Sequence, residues 1–135
     1  MKLTIQQALQ QGVTAHKEGK LQDAERLYRA ILQSQPEQPD ANHNLGVLAV
    51  AAGKPAEAVP LFKLALEANP KAEQFWLSYT DALIKLEHFG DAKHVLMEGE
   101  KSGISEEKLD ALNQRLQVSL PNGDTKAATG EMVSE

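Results

Sequence analysis

The chain contains no cysteine. That excludes disulfides, thiolate metal centres and thiol nucleophiles, and it fits a reducing compartment. Aromatic residues are scarce, at 4 %. Ala and Leu carry the apolar load instead, which favours helix over sheet, because strands prefer aromatic and β-branched side chains. Positive charge is also short. Fourteen Lys and Arg stand against 19 Asp and Glu, for a net charge of −5. A non-specific nucleic-acid binder needs a basic field, so that role is disfavoured. No apolar run approaches the roughly 18 residues of a membrane-spanning helix. The start, MKLTIQQALQQG, has one Lys and no long apolar stretch, so it does not read as a secretory signal. The expectation is a soluble cytoplasmic protein with no membrane or nucleic-acid partner.

Catalytic signatures are missing too. There is no G-x-S-x-G and no Walker loop. The histidines His16, His43, His88 and His94 do not pair at the i, i+4 spacing of a helical metal site. Glu98, Glu100, Glu106 and Glu107 form an acidic run of the kind that makes a solvated face. The expectation is no enzyme, no catalytic residue, no cofactor and no metal.

What is present is a repeat. Sliding the chain against itself by 34 residues superposes Ala24, Ala58 and Ala92. Gly12 falls on Gly46, Gly19 on Gly53, Pro36 on Pro70, and Tyr28 on Phe62 and then Leu96. Each unit reads as two helices: about 4–18 and 21–34, then 40–52 and 55–68, then 72–87 and 89–101. The boundaries are chemical. Gly19 and Gly53 stop first helices as C′ glycines, and Pro36 and Pro70 prevent continuation of second helices. Pro55 opens a helix where its missing N–H costs nothing, and Thr4–Gln7 fits a capping box.

Gly46 needs a reason, because a glycine inside a helix costs about 1 kcal/mol relative to Ala. Close approach of the paired helices supplies one. The reading pairs Gly46 with Ala58 and Gly12 with Ala24, with Phe62 and Tyr28 filling the space beside each contact.

A 34-residue helix–turn–helix unit with NLG, then Gly, Ala, Phe and Pro resembles the tetratricopeptide repeat. Unit two carries it through Leu45, Gly46, Ala58, Phe62, Ala65 and Pro70. Unit one carries it through Gly12, Ala24, Tyr28 and Pro36. Unit three keeps Trp76 and Ala92, but Thr80 replaces the glycine, Leu96 the aromatic, Gly99 the second alanine and Ile104 the proline. The resemblance implies an all-α right-handed superhelix of three helix–turn–helix units, over about 4–37, 38–71 and 72–104. A capping helix over 105–118 would complete a domain spanning 4–118. Ser105 is its N-cap, Glu106 and Glu107 favour its first turn, and Leu109, Leu112 and Leu116 form one apolar stripe. The turn-rich segment 119–135 reads as a disordered tail or linker.

In this family the first helix of each pair lines the concave side, which commonly holds a peptide or a partner helix. The resemblance therefore implies a groove of Leu9, Gln10, Val13, His16, His43, Asn44, Val47, Val50, Leu77, Ser78, Asp81 and Ile84. It is largely apolar, with a few polar groups. Repeat domains that hold the acidic tails of heat-shock chaperones use a Lys, Arg and Asn clamp. At those sites stand Leu9, Val13, Asn44, Gln74 and Ser78, so only Asn44 agrees. The asparagine ladder of O-linked N-acetylglucosamine transferases is matched by Asn44 and broken by Gln10 and Ser78. NHNLGVLA and EQFWLSYTDALIKL also resemble the amino-terminal repeats of bacterial proteins that end in a glycosyltransferase or sulfotransferase domain. The resemblance points to a protein-interaction module with a protein or peptide partner. A self-assembling scaffold, including a homodimer, and the front region of a larger transferase stay open beside it.

Overall fold

Thr4 starts the first helix by accepting the Gln7 N–H at 3.0 Å, while the Gln7 side chain accepts the Thr4 N–H at 2.9 Å. The capping box is therefore complete. The computed structural model describes residues 3–119. Seven helices follow one another: α1 Ile5–Lys17, α2 Leu21–Ser34, α3 Pro39–Ala51, α4 Pro55–Ala68, α5 Glu73–Lys85, α6 Phe89–Ser102 and α7 Glu106–Ser119. No strand occurs among the described residues. The expected tail lies, from residue 120 onward, outside them.

Successive helices pack against each other along the whole chain, so the core is a strip rather than a centre. The first helices α1, α3 and α5 also touch their neighbours of the same kind, whereas the second helices α2, α4 and α6 make no comparable contact with one another. One layer is thus closer-packed than the other, which curves the stack into a helical-repeat superhelix with α1, α3 and α5 on its inner side.

Each first helix ends in the same way. Gly19 N–H donates to His16 O at 3.0 Å and Lys20 N–H to Ala15 O at 2.8 Å, a Schellman motif. Gly53 and Lys54 repeat the two bonds on Val50 and Ala49, and Glu87 and His88 repeat them on Ile84 and Leu83. The motif needs a left-handed residue at its turn. Gly19 and Gly53 take it at φ 80°, and Glu87 takes it at φ 62°. A non-glycine residue there costs roughly 1–2 kcal/mol. Glu87→Gly is therefore expected to raise stability by about 1 kcal/mol, read as a higher urea midpoint at unchanged slope. No change in midpoint would mean the turn is not strained.

The glycine at the centre of the pair has a different neighbour from the expected one. A Cβ on Gly46 would lie 2.5 Å from Cε1 of Phe62, and one on Gly12 would lie 2.5 Å from Cε1 of Tyr28. The ring, not Ala58 or Ala24, is what the missing side chain admits. Ala24, Ala58 and Ala92 are each fully buried, so they too sit at helix contacts. In the third unit the trade is reversed. Thr80 has a side chain and Leu96 has no ring, and both are buried. Thr80 also satisfies its hydroxyl by donating to Trp76 O at 2.9 Å. A second trade accompanies it. A Cβ on Gly99 would run into Cδ1 of Ile104, so the isoleucine that replaces proline fills the space vacated by alanine.

The capping helix behaves as its apolar stripe predicts. Leu109, Leu112 and Leu116 are buried with Leu83, Ile84, Val95 and Leu96 in one cluster. Polar contacts fix its angle. Ser105 N–H donates to Glu73 at 2.9 Å, Lys108 pairs with Glu73 at 3.1 Å, and Arg115 pairs with Asp81.

Candidate functional site

The inner layer presents residues from α1, α3 and α5. Val13, His16, Asn44, Val47, Val50, Leu77, Ser78 and Asp81 are partly exposed, and Gln10 is exposed. Leu9, His43 and Ile84 are buried, at 8, 8 and 7 % of their free surface, so they offer at most an edge. Asp81 is engaged on this surface by Arg115 of α7 and by Lys85 at 3.7 Å. The two units that meet here are pinned behind the surface in the same way. Asn42 Nδ2–H donates to Pro36 O at 3.1 Å, and Trp76 Nε1–H donates to Pro70 O at 2.8 Å. These residues lie 34 apart, so one bond recurs with different side chains.

The centre of the layer is polar and organised. His43 stacks on Phe75 with ring centroids 4.7 Å apart and lies 5.6 Å from the Phe62 ring. Its Nδ1 is 3.1 Å from Asn44 Oδ1, and its Nε2 is 2.8 Å from Ser78 Oγ on α5. Gln74 Nε2–H donates to the same hydroxyl oxygen at 3.3 Å. Burial holds the His43 pKa below the usual imidazole value, and Asn44 and Asp40 oppose that in part. Tyr28, buried next to this group, has its hydroxyl pKa pushed up by burial, with the Asn44 side chain opposing. Asn44 lies on its side, but no group among the described residues meets its oxygen in good hydrogen-bond geometry.

The sign of the His43 shift fixes a pH dependence. The folded state binds its proton less well than the unfolded chain, whose imidazole titrates near 6.5. Stability is therefore full above about pH 6.5 and falls as the pH drops through the unfolded value toward the folded one. Between pH 7.5 and 5.0 the melting temperature should fall, and His43→Phe should flatten that slope. An equal slope in the variant would assign the effect to other groups. Glu73 is also shifted downward, by the Ser105 N–H and then by Lys108. Its window lies below that of His43, near the carboxylate range, which keeps the two separable.

Two clefts open on the other side of the stack, and both are seams between units. One is lined by Glu25, Leu45 and Leu61, the other by Val59, Tyr79 and Val95, each 34 residues further on. Such a repeat of lining marks a joint that every pair of units makes, rather than a site special to one of them. Among the described residues, no group of three His, Cys, Asp or Glu side chains could hold a metal ion. No helix among them is long and apolar enough to cross a membrane.

Sequence reading reached Asn44 and Ser78 as separate groove positions. It did not see that His43 joins them, because the bond spans 35 residues and two helices. The signal that could have found it is a histidine one place before Asn44, with a phenylalanine 32 residues on.

Comparisons with known proteins accord with this architecture. A tetratricopeptide-repeat profile matches residues 9–73 and a second matches 49–103. A search of curated protein sequences finds no match. Among solved structures, the TPR2B domain of yeast Sti1 in complex with pHsp70 superposes with a TM-score of 0.77 at 16 % identity, covering 86 % of this chain and 98 % of that one. A D159K mutant of MamA gives a TM-score of 0.69 at 24 % identity over 87 % of this chain, and the match spans 66 % of its length. The O-GlcNAc transferase of Thermobaculum terrenum gives 0.72 at 20 % identity over 89 % of this chain, and the match spans 23 % of that enzyme. The recurring helix pairs, their shared caps and the two sequence profiles place the chain in the tetratricopeptide-repeat family.

Proposed function

We propose that the chain is a non-catalytic interaction module, a single repeat domain over 4–118, that binds a segment of another protein along the α1–α3–α5 face. The observation that carries this is the composition of that face. Val13, Val47, Val50 and Leu77 are partly exposed on these three helices, as are Asn44 and Ser78. An apolar strip with a few placed polar groups is the usual make-up of a binding surface. The Sti1 domain, whose structure is of a complex with pHsp70, shares the fold and supports the general role. In this chain the apolar positions supply burial, while Asn44 and the polar groups beside it fix the direction of the bound segment.

Molar mass by light scattering, across a hundredfold range of concentration, separates this reading from self-assembly. The reading predicts the mass of one chain throughout. A mass that rises to two chains would make the exposed repeat surface a self-association surface. Val47→Glu supplies the mutational test. It places a charge on the middle of the face and is expected to weaken binding of a peptide partner by at least tenfold; because Val47 is half-buried against Ala58 and Phe62, binding is compared well below the variant's own melting temperature. A variant that binds as the parent does would put the partner elsewhere.

A second reading is favoured by the transferase superposition, in which the match spans 23 % of the enzyme. The chain would then be the repeat region of a larger transferase. The reading frame downstream of the codon for Glu135 decides this: a transferase domain there supports it, and a stop codon or an unrelated domain removes it.

A further inference from the structure

The hydrogen bonds around His43 run in one direction. Asn44 Oδ1 can only accept, so the ring proton belongs on Nδ1. Nε2 is then a lone pair, and the Ser78 O–H must donate to it. The Ser78 oxygen in turn accepts from Gln74 Nε2–H. Donation thus passes from Gln74 on α5, through Ser78 and the imidazole, to Asn44 on α3. The stack against Phe75 holds the plane of the ring, so the chain of bonds cannot swing.

This order decides what the amides show to a ligand. The Asn44 oxygen is taken by His43, which leaves its two Nδ2 N–H groups: one lies on the side of the buried Tyr28 hydroxyl, and the other is the donor that partly exposed Asn44 has left for a ligand. Gln74 Nε2 gives one of its two protons to Ser78, which fixes the amide and leaves its Oε1 and a second N–H. A donor on α3 and an acceptor on α5 are the complement of a peptide C=O and a peptide N–H. We propose that His43 is a positioning residue for the groove: its neutral ring fixes the Asn44 and Gln74 amides in the orientation that reads the backbone of an extended peptide. The inference rests on the groove reading above and adds to it a residue that sets how the groove's amides face a ligand.

A second proton on His43 would sit on Nε2. Ser78 would then accept instead of donating, and its own O–H would turn away into the groove. The order of donors and acceptors would be lost. The groups that meet the ring from α4 and α5 are Phe62, Phe75 and Ser78, all uncharged, and Asp40 on α3 is the charged group that acts on it. His43→Phe keeps the stack and removes both bonds.

Two measurements test this. The first is imidazole ¹⁵N–¹H correlation of the intact chain at pH 7.5. The expected result is a proton on Nδ1 and a bare Nε2 for His43; the opposite tautomer overturns the inference. The second uses ten-residue peptides selected by display against the parent protein at pH 7.5. Their affinity is then measured for the parent and for His43→Phe at pH 7.5 and 5.5. The parent is expected to lose affinity on acidification. The variant should bind about tenfold more weakly at pH 7.5, with no pH dependence left. A variant that binds like the parent at both pH values sinks the positioning role and leaves the groove standing. Failure to select any peptide overturns the groove reading and this inference with it.

Discussion

Gly46→Leu is expected to lower the melting temperature of the domain by several degrees. Two effects oppose each other. Replacing a mid-helix glycine gains about 1 kcal/mol of helix propensity. Against that, the first added carbon would lie 2.5 Å from Cε1 of Phe62, a ring with no exposed surface. Overpacking of this kind typically costs 1–3 kcal/mol, and more where the neighbour has nowhere to go. Each kcal/mol moves the midpoint of a domain of this size by roughly 4 °C. The clash therefore wins. The third unit shows how it is relieved, with Thr80 and Leu96 at the same two places. Gly46→Thr alone should be strongly destabilising, and adding Phe62→Leu should recover more than half of the loss. A double-mutant cycle is expected to give a coupling of about 1–3 kcal/mol. Additive losses would mean that Gly46 and Phe62 do not share one space.

Leu116→Ala is expected to cost about 2–5 kcal/mol, the range for deleting a buried leucine side chain. Leu116 is 2 % exposed and lies in the cluster that closes the third unit. Its neighbour Arg115 makes the more visible contact, with Asp81. That pair is half in water, with side-chain exposures of 48 and 24 %, and such pairs contribute at most about 1 kcal/mol. Arg115→Ala should therefore lower the urea midpoint only slightly, while Leu116→Ala lowers it severely. If the two losses were equal, α7 would be held by its charges rather than by its leucines.

Local chemistry made most of the helix boundaries legible. Gly19, Gly53, Pro36, Pro55 and Pro70 each act through their own backbone, so their meaning does not depend on the rest of the fold. The stripe of Leu109, Leu112 and Leu116 was legible for a similar reason, since helical periodicity alone puts it on one face. Unit three was harder, because it substitutes pairs rather than residues. Thr80 makes sense only beside Leu96, and Gly99 only beside Ile104. Glu87 gave no sign of its left-handed backbone in its own chemistry, and only the 34-residue register after Gly19 and Gly53 points to it. The inner face was legible as a list of positions but not as a surface. Burial removed Leu9 and Ile84 from easy reach, and α7 engaged Asp81. The link from His43 to Ser78 exists only once two helices stand side by side.

The account turns on the inner face as the place where a partner binds. The most direct test is the amide spectrum of the ¹⁵N-labelled chain, titrated with a display-selected peptide. The account predicts that the shifted resonances fall along α1, α3 and α5, centred on Asn44, Val47 and Ser78. Shifts confined to α2, α4 and α6, or to the seams between units, would contradict it.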